Sequence, residues 1–599
     1  MNFGMERFFD LEYRGEGNRS MVFANPQTKQ VYRLVKQNAT QKIRDHLLNG
    51  VGKSYGENIQ KAVCMELRQV ISYMKNIMRP LLSDRYVVIP KLILLPKGFG
   101  EKAVELAGQA RPAHRKNSHR DIVDTHVQCA LVLPDCCFVC NPTSGSSEGH
   151  PGTNHQADEN TCNRQNPMIK IISTDSLRRS SSSCSGDSQD SSTQTDQFND
   201  SLETHFSLVD DEDDALSFQC VYGGEELEDS APHICDEGGS RKNIPCGQFY
   251  ITDAGNSKDE FSKNLKESRD DSSYTLSIEI KPKKGFLKKM DTSSIEESQV
   301  CRFCMHQYLK RKSGQWPETS GYCPLHLFSG NRSRMKHALE SLIKTPQNNL
   351  KICKNGREVY GSEIRQDLSA ILKGWFPINP NRRPGLVSVF LDLVIEILLS
   401  PPNSEVSRPH SKRQVIINHG LQKCDSRPYI DFDQDQSEGL PEFCVLERIY
   451  TLQSLDDLDI EGVYPLYKQL KAKLDVAPHL MKKWCLNGPY EDVSWLVGHP
   501  GEELSTLDPS SDEYAVHKVR RFLVSKTLQD CSIIVAIKPA KSIDSRQDFL
   551  RFEGDLYAFS ISVVDLDPKP FEKVNTYYRQ ASDIAKTFAE KSFGVHRAN

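Results

Sequence analysis

Residues 141–272 constrain the fold of this chain more than any other stretch. They are rich in Ser, Asp, Gly, Asn and Thr, as in Arg178-Arg179-Ser180-Ser181-Ser182-Ser183 and Asp210-Asp211-Glu212-Asp213-Asp214. So little apolar surface cannot offset the entropy of ordering a backbone, so the segment is expected to be an unfolded insertion. Any core must then be assembled from its two flanks. Composition agrees: of 599 residues only 37% are hydrophobic, and the mean hydropathy is -0.54. Both values are low for a chain folded throughout. Residues 401–440 are also polar and Pro-bearing, and read as a second, flexible insertion. The ordered units expected are therefore 1–140, 273–400 and 441–599. The serines that follow Arg178 and Arg179 suit phosphorylation by a basophilic kinase, or the segment is a plain linker.

Charge and hydropathy exclude several classes. A formal net charge of -4, with no interleaving of aromatic and basic residues, argues against a nucleic-acid binder. The longest apolar run, 386–399, is interrupted by Asp392 and Glu396, so no membrane insertion is expected. The first twenty residues lack the apolar stretch of a secretory signal. A reducing compartment follows, in which the 18 cysteines are thiols or metal ligands rather than disulfides.

The chemistry gathers at a few short stretches. Residues 273–280 are β-rich, and Pro282 should end that strand. Lys281 and Lys283 flank the proline and suit a polyanion such as phosphate, although a basic turn in solvent reads the same way. Near the start, Gly15 and Gly17 lie in a turn before a strand at 21–24, and Arg33 lies on the strand after it. That order matches a nucleotide lid, and equally an ordinary hairpin. Strands are expected at 86–95, 128–134, 530–537 and 557–566, the last two able to pair antiparallel. Helices are expected at 55–82, 302–312, 331–344, 362–376, 385–400, 512–525 and 577–592, and at 443–474 with a break at 462–465. Strands early and helices later indicate an α+β protein in two lobes. Asp530 and Asp565, each at a strand edge, suit a phosphoryl-transfer site in which one acid activates a hydroxyl and the other holds Mg²⁺. Lys569, Lys573 and Tyr577 recur every four residues. Cys301, Cys304, Cys323 and His326 have zinc-ligand spacing, with His306 competing as the fourth ligand.

Taken in order, these pieces resemble the inositol-pentakisphosphate 2-kinase family. The resemblance is carried by Tyr13-Arg14-Gly15-Glu16-Gly17-Asn18, Glu279-Ile280-Lys281-Pro282-Lys283, Met305-His306-Gln307-x-Leu309-Lys310 and Cys323-Pro324-Leu325-His326-Leu327-Phe328-Ser329-Gly330. Further along it is carried by Pro346-Gln347-Asn348-Asn349, Leu458-Asp459-Ile460-Glu461-Gly462, Asp530-Cys531-Ser532-Ile533 and Asp565-Leu566-x-x-Lys569-Pro570. It implies a two-lobed inositol polyphosphate kinase fold, distantly like protein kinases. It implies transfer of the γ-phosphoryl group of ATP to the 2-hydroxyl of inositol 1,3,4,5,6-pentakisphosphate, giving inositol hexakisphosphate (phytate). The alternatives are an inositol-phosphate-binding scaffold and a kinase of another inositol polyphosphate.

By position, the resemblance places Gly15, Gly17, Asn18 and Ser20 over ATP, with Arg33 and Lys351 on its phosphates. Glu279 helps hold the nucleotide, and Asp135 sits at the adenine hinge, where the family often has asparagine. Lys281 bridges the transferring phosphoryl and the inositide. Arg115, Lys283, Lys310, Asn348, Asn349, Lys569, Lys573 and Tyr577 hold ring phosphates. Asp530 activates the hydroxyl, Asp565 ligates Mg²⁺, and zinc is structural. Gln529 stands where lysine is common, Lys573 where some members have arginine, and plant members lack these cysteines. Residence in cytoplasm and nucleus is a further expectation of the resemblance.

Overall fold

A short antiparallel strand needs neighbours to bury its apolar face, and this chain supplies them in two sheets. The computed structural model describes residues 11–41, 55–111, 122–140, 274–287, 300–377, 385–401, 439–497, 507–544 and 547–595. Arg115, all of 141–272 and nearly all of 401–440 lie outside the described residues.

The first sheet holds β1 (Glu12–Glu16), β2 (Ser20–Asn25), β3 (Gln30–Val35), β4 (Lys91–Leu94) and β5 (Cys129–Pro134), in the order β1-β2-β3-β5-β4, every pair antiparallel. Met21, Phe23 and Leu34 on its inner face bury against Phe99 and Ala103 of helix α2 (Phe99–Ala110). Helix α1 (Tyr55–Tyr73) continues through a π turn, Met74–Met78, into Arg79–Leu82. Pro80 does not stop the helix. Its ring would crowd the carbonyl four residues back, and that residue, Asn76, lies in the widened π turn.

The second sheet holds β6 (Leu276–Ile280), β7 (Leu350–Lys354), β8 (Arg357–Tyr360), β9 (Ser532–Pro539), β10 (Asp548–Phe552) and β11 (Asp555–Val564). The order is β10-β11-β9-β6-β7-β8, antiparallel throughout. Around it are α3 (Arg302–Lys312), α4 (Arg332–Lys344), α5 (Leu368–Trp375), α6 (Leu386–Leu399), α7 (Val445–Gln453), α8 (Asp459–Val476), α9 (Asp512–Asp530) and α10 (Lys573–Val595). The apolar run of α6 is core: Phe390, Leu391, Leu393, Val394, Ile397 and Leu398 are all buried. Among the described residues no helix is long and apolar enough to cross a membrane.

Several boundaries differ from the sequence expectation. Helix α8 runs unbroken through Pro465, because its buried stripe of Ile460, Val463, Tyr467 and Leu470 offsets the lost hydrogen bond. Helix α5 begins only at Leu368, capped by Asp367, whose carboxylate accepts from the Ser369 amide at 2.9 Å. The strand expected at 86–95 shrinks to Lys91–Leu94. Strand β8 was not expected at all, since residues 357–360 are too short to show a period.

Register decides what meets. Ile280 is opposite both Leu350 and Ile533, and Ser532 is opposite Val564. Antiparallel pairing therefore puts the exit of β6, the entries of β7 and β9 and the exit of β11 at one end of the sheet. Residues 281, 349 and 565 adjoin those points directly, and 530 is one residue further back.

Candidate functional site

The segment 281–285 leaves β6 as a loop whose every step is anchored. The Lys281 amide donates to the Asn349 carbonyl at 2.9 Å. The Tyr322 hydroxyl donates to the Pro282 carbonyl at 2.7 Å. Lys283 takes a left-handed φ of 61°. Gly285 lies against the Phe328 ring, where an added Cβ would be 2.3 Å from Cδ2. Phe328 is fully buried and cannot swing away. Gly285→Ala is therefore expected to destabilise the fold by about 1–3 kcal/mol, the usual scale of overpacking, as thermal unfolding would show.

Both lysines of the loop reach across to the acids. Lys281 Nζ lies 3.1 Å from Asp565 Oδ2, and Lys283 Nζ lies 3.1 Å from Asp530 Oδ1. Lys569 Nζ lies 3.3 Å from the other oxygen of Asp530. The Ser532 hydroxyl donates to Asp565 at 3.2 Å. The lysine side chains are largely covered, whereas Asp530 and Asp565 are 57% and 49% exposed. Burial works against the charge on Asp530, but Lys283, Lys569 and Lys281 outweigh it and hold the carboxyl well below its usual range. Lys281 is in turn held charged: burial disfavours its ammonium, and Asp565, Glu279 and Asp530 outweigh that.

Asp530 is the last residue of α9 rather than the edge of a strand, and Asp565 follows β11 at a φ of 61°. Lys569 lies in the extended segment before α10, so it does not share a helical face with Lys573 and Tyr577. Pro568 and Pro570 explain that, since neither can donate an amide to a helix. Tyr577 has its hydroxyl pushed up by burial, with Lys569 and Asp530 both close enough to act on it. Gln529 turns away from Asp530: its amide donates to Ser525 at 2.9 Å and accepts from Lys526 at 3.1 Å.

Lys310 borders the same group. Burial and then Lys283 push its ammonium down to about 8, with Asp530 opposing. His306, one helical turn earlier, is pushed down to about 3 by burial, then Lys310 and Lys283, so its imidazole stays neutral. It lies close enough to these lysines to feel their charge, in keeping with its spacing of four from Lys310; the sequence had offered it only as a competing zinc ligand. Asn348 is exposed, whereas Asn349 is buried with neither side-chain amide atom hydrogen-bonded.

The first sheet closes over the other side. Gly15 lies in β1 at a bulge rather than in the turn, and a Cβ on it would lie 3.7 Å from Lys351 Nζ, so the end of β1 stands above β7. Lys351 pairs with Glu358 at 3.1 Å and lies opposite Glu279 across the strands. Gly17 donates to the Ser20 carbonyl at 2.9 Å, and the Asn18 carbonyl accepts from Asn38 at 3.1 Å. Arg33 donates to the Ser20 hydroxyl at 2.9 Å and forks both oxygens of Asp567, one of them at 2.7 Å. Asp567 was not singled out from sequence, though it stands two residues from Asp565. Between the glycines, Glu16 is anchored by buried Lys36 at 2.7 Å and by Arg111 at 2.9 Å. Asp135 turns its carboxylate to Arg14 at 3.1 Å and to the Cys137 amide at 3.0 Å.

Three buried thiols form a separate group. Cys301 Sγ lies 3.1 Å from Cys304 Sγ and 3.7 Å from Cys323 Sγ. Among the described residues these three thiols make one closely spaced buried set, and the His326 ring lies 5.7 Å from that of His337.

An α+β chain whose cations converge on paired carboxylates beneath a glycine-bearing turn has the parts of a kinase for a polyanionic substrate. Its family follows from comparison. The family model described as inositol-pentakisphosphate 2-kinase matches residues 13–583, and the chain belongs to that family. An inositol-pentakisphosphate 2-kinase of Danio rerio is 26% identical over 604 residues, covering 97% of this chain and 93% of the relative. That of Oryza sativa subsp. indica is 31% identical over 323 residues, 53% of this chain and 61% of the relative. That of Arabidopsis thaliana is 26% identical over 333 residues, 53% and 60%.

Proposed function

We propose that this chain transfers the γ-phosphoryl group of ATP to the 2-hydroxyl of inositol 1,3,4,5,6-pentakisphosphate, giving inositol hexakisphosphate. The observation that carries the reading is the gathering of Lys281, Lys283 and Lys569 around Asp530 and Asp565 at one end of a sheet. A substrate with about ten negative charges, at ~1.5–2 per phosphate, needs such a set of cations. The names of the relatives point the same way.

On this reading the two sheets belong to the two lobes of a kinase-like fold. Gly15, Gly17, Asn18 and Ser20 cover the nucleotide, and Arg33 and Lys351 meet its phosphates. Arg33 must exchange Asp567 for phosphate to do so. Glu279 helps to hold the nucleotide. Asp135, with its carboxylate engaged by Arg14, serves the adenine through the backbone of its segment. Lys281 spans the transferring phosphoryl and the inositide. Lys283, Lys310, Asn348, Asn349, Lys569, Lys573 and Tyr577, with Arg115, hold ring phosphates. The unpaired buried amide of Asn349 supports its place there, since such an orphan is costly until a ligand satisfies it. Asp530 takes the hydroxyl proton. When ring phosphates draw Lys283 and Lys569 to themselves, the carboxylate loses the cations that weaken it as a base.

Asp565, half-exposed beside the acid, fits the hard-oxygen preference of Mg²⁺. Bound there, the ion would neutralise charge on the nucleotide phosphates. The three thiols fit zinc: ligands at ~2.3 Å in a tetrahedron stand about 3.8 Å apart, near the 3.7 Å of Cys301–Cys323, and the 3.1 Å of Cys301–Cys304 would open to it on binding. The fourth ligand is proposed as His326, with His306 as the alternative.

Incubation with ATP, Mg²⁺ and a panel of inositol phosphates, with products resolved by ion-exchange chromatography, tests the reaction. Hexakisphosphate formed from the pentakisphosphate is expected; preference for another inositide would sink the assignment. Lys310 adds a pH dependence. Its lowered value means that the free protein loses this charge as pH rises through about 8. Affinity for the pentakisphosphate, measured by calorimetry, should fall roughly tenfold between pH 7 and 9, the scale of one pK unit of lost interaction. In Lys310→Arg, which stays charged, that fall should largely vanish.

A further inference from the structure

We propose that Gln453 is a positioning residue for phosphoryl transfer, a clamp that holds the loop of Lys281 and Lys283 against the end of the helix that carries Asp530. It rests on the kinase reading above. Gln453 is the last residue of α7 and is fully buried. Its Oε1 accepts from the Gly285 amide at 2.8 Å. Its Nε2 donates to the Lys283 carbonyl at 2.8 Å and to the Leu528 carbonyl at 3.0 Å. Its own carbonyl accepts from the Ser525 hydroxyl at 2.5 Å.

Both amide hydrogens are therefore used, one on each side of the reacting groups. Lys283 is the residue whose ammonium pairs with Asp530, and Leu528 lies two residues before Asp530. One planar amide thus sets the spacing between the loop and the helix end. Two other side chains anchor the loop, each to a different element. Tyr322 holds Pro282 from the zinc-ligand segment, and Lys284 pairs with Asp459 of α8 at 2.5 Å. Neither of these reaches the last turn of α9. The chemistry tolerates little slack here, since in-line transfer requires the cations and the base to share one geometry. Glutamine suits the task because it offers an acceptor and two donors on one rigid plane.

The test uses the full chain with Gln453→Met, which keeps the volume and removes the hydrogen bonds, beside Ile449→Ala. Ile449 is fully buried one turn earlier in α7 and is an apolar member of the main core. Both variants are assayed well below their melting temperatures. In Gln453→Met, kcat at saturation should fall about tenfold or more, short of the ~100-fold that a full 1 Å misplacement can cost, with the KM for ATP little changed. Ile449→Ala should lower the melting temperature and leave kcat intact. Hydrogen exchange provides a readout that does not need activity: protection over 281–287 should drop in Gln453→Met only. Wild-type kcat in Gln453→Met, an equal loss in Ile449→Ala, or unchanged exchange at 281–287 overturns the clamp. A wild-type protein that transfers no phosphate would refute the kinase reading instead, and exchange would still decide the clamp.

Discussion

Asp530→Asn should abolish hexakisphosphate formation while leaving pentakisphosphate bound. The amide has the shape of the acid but cannot take the hydroxyl proton, and loss of a positioned general base costs about 10²–10⁴-fold in rate. Binding should survive because the partners of Asp530 are Lys283 and Lys569, and removing its charge leaves both ammonium groups to the phosphates. Single-turnover assays with radiolabelled ATP measure the first effect, and calorimetry with the pentakisphosphate the second. An Asp530→Asn protein turning over at the wild-type rate would remove Asp530 from the chemistry.

Loss of the metal should have the largest effect on stability. Purified protein is expected to carry one zinc per chain, measured by plasma emission, and Cys301→Ser with Cys304→Ser should lose it. Structural zinc contributes on the order of 10 kcal/mol in small domains, and here part of the surrounding core would still hold. The melting temperature should fall steeply, and activity should fall with it. Cys301 and Cys304 start the helix that carries Lys310, and Cys323 is next to Tyr322, whose hydroxyl holds the lysine loop. Stoichiometric zinc that persists in the double variant would exclude these thiols.

Much of the secondary structure was readable because it repeats. The helix that starts at Tyr55 falls where its apolar spacing puts it, and strand Cys129–Pro134 is a plain apolar run. Residues 357–360 and the helix through Pro465 were misjudged for the opposite reason. There a few residues of local preference gave way to neighbours distant in the chain. The lysines and aspartates could be named as chemistry from residue type and motif. Their meeting could not, because Lys281 and Asp565 follow, and Asp530 precedes, strands whose pairing no local pattern specifies.

Residue types and local pattern settled where many strands and helices lie, and which charged side chains were worth attention. These depend on neighbours within a turn or two. Tertiary structure alone decided that four strand ends share one end of a sheet, that Arg33 meets Asp567, and that Gln453 joins two segments. Each of these depends on antiparallel register and on packing between residues hundreds of positions apart, and distance in sequence carries no information about either.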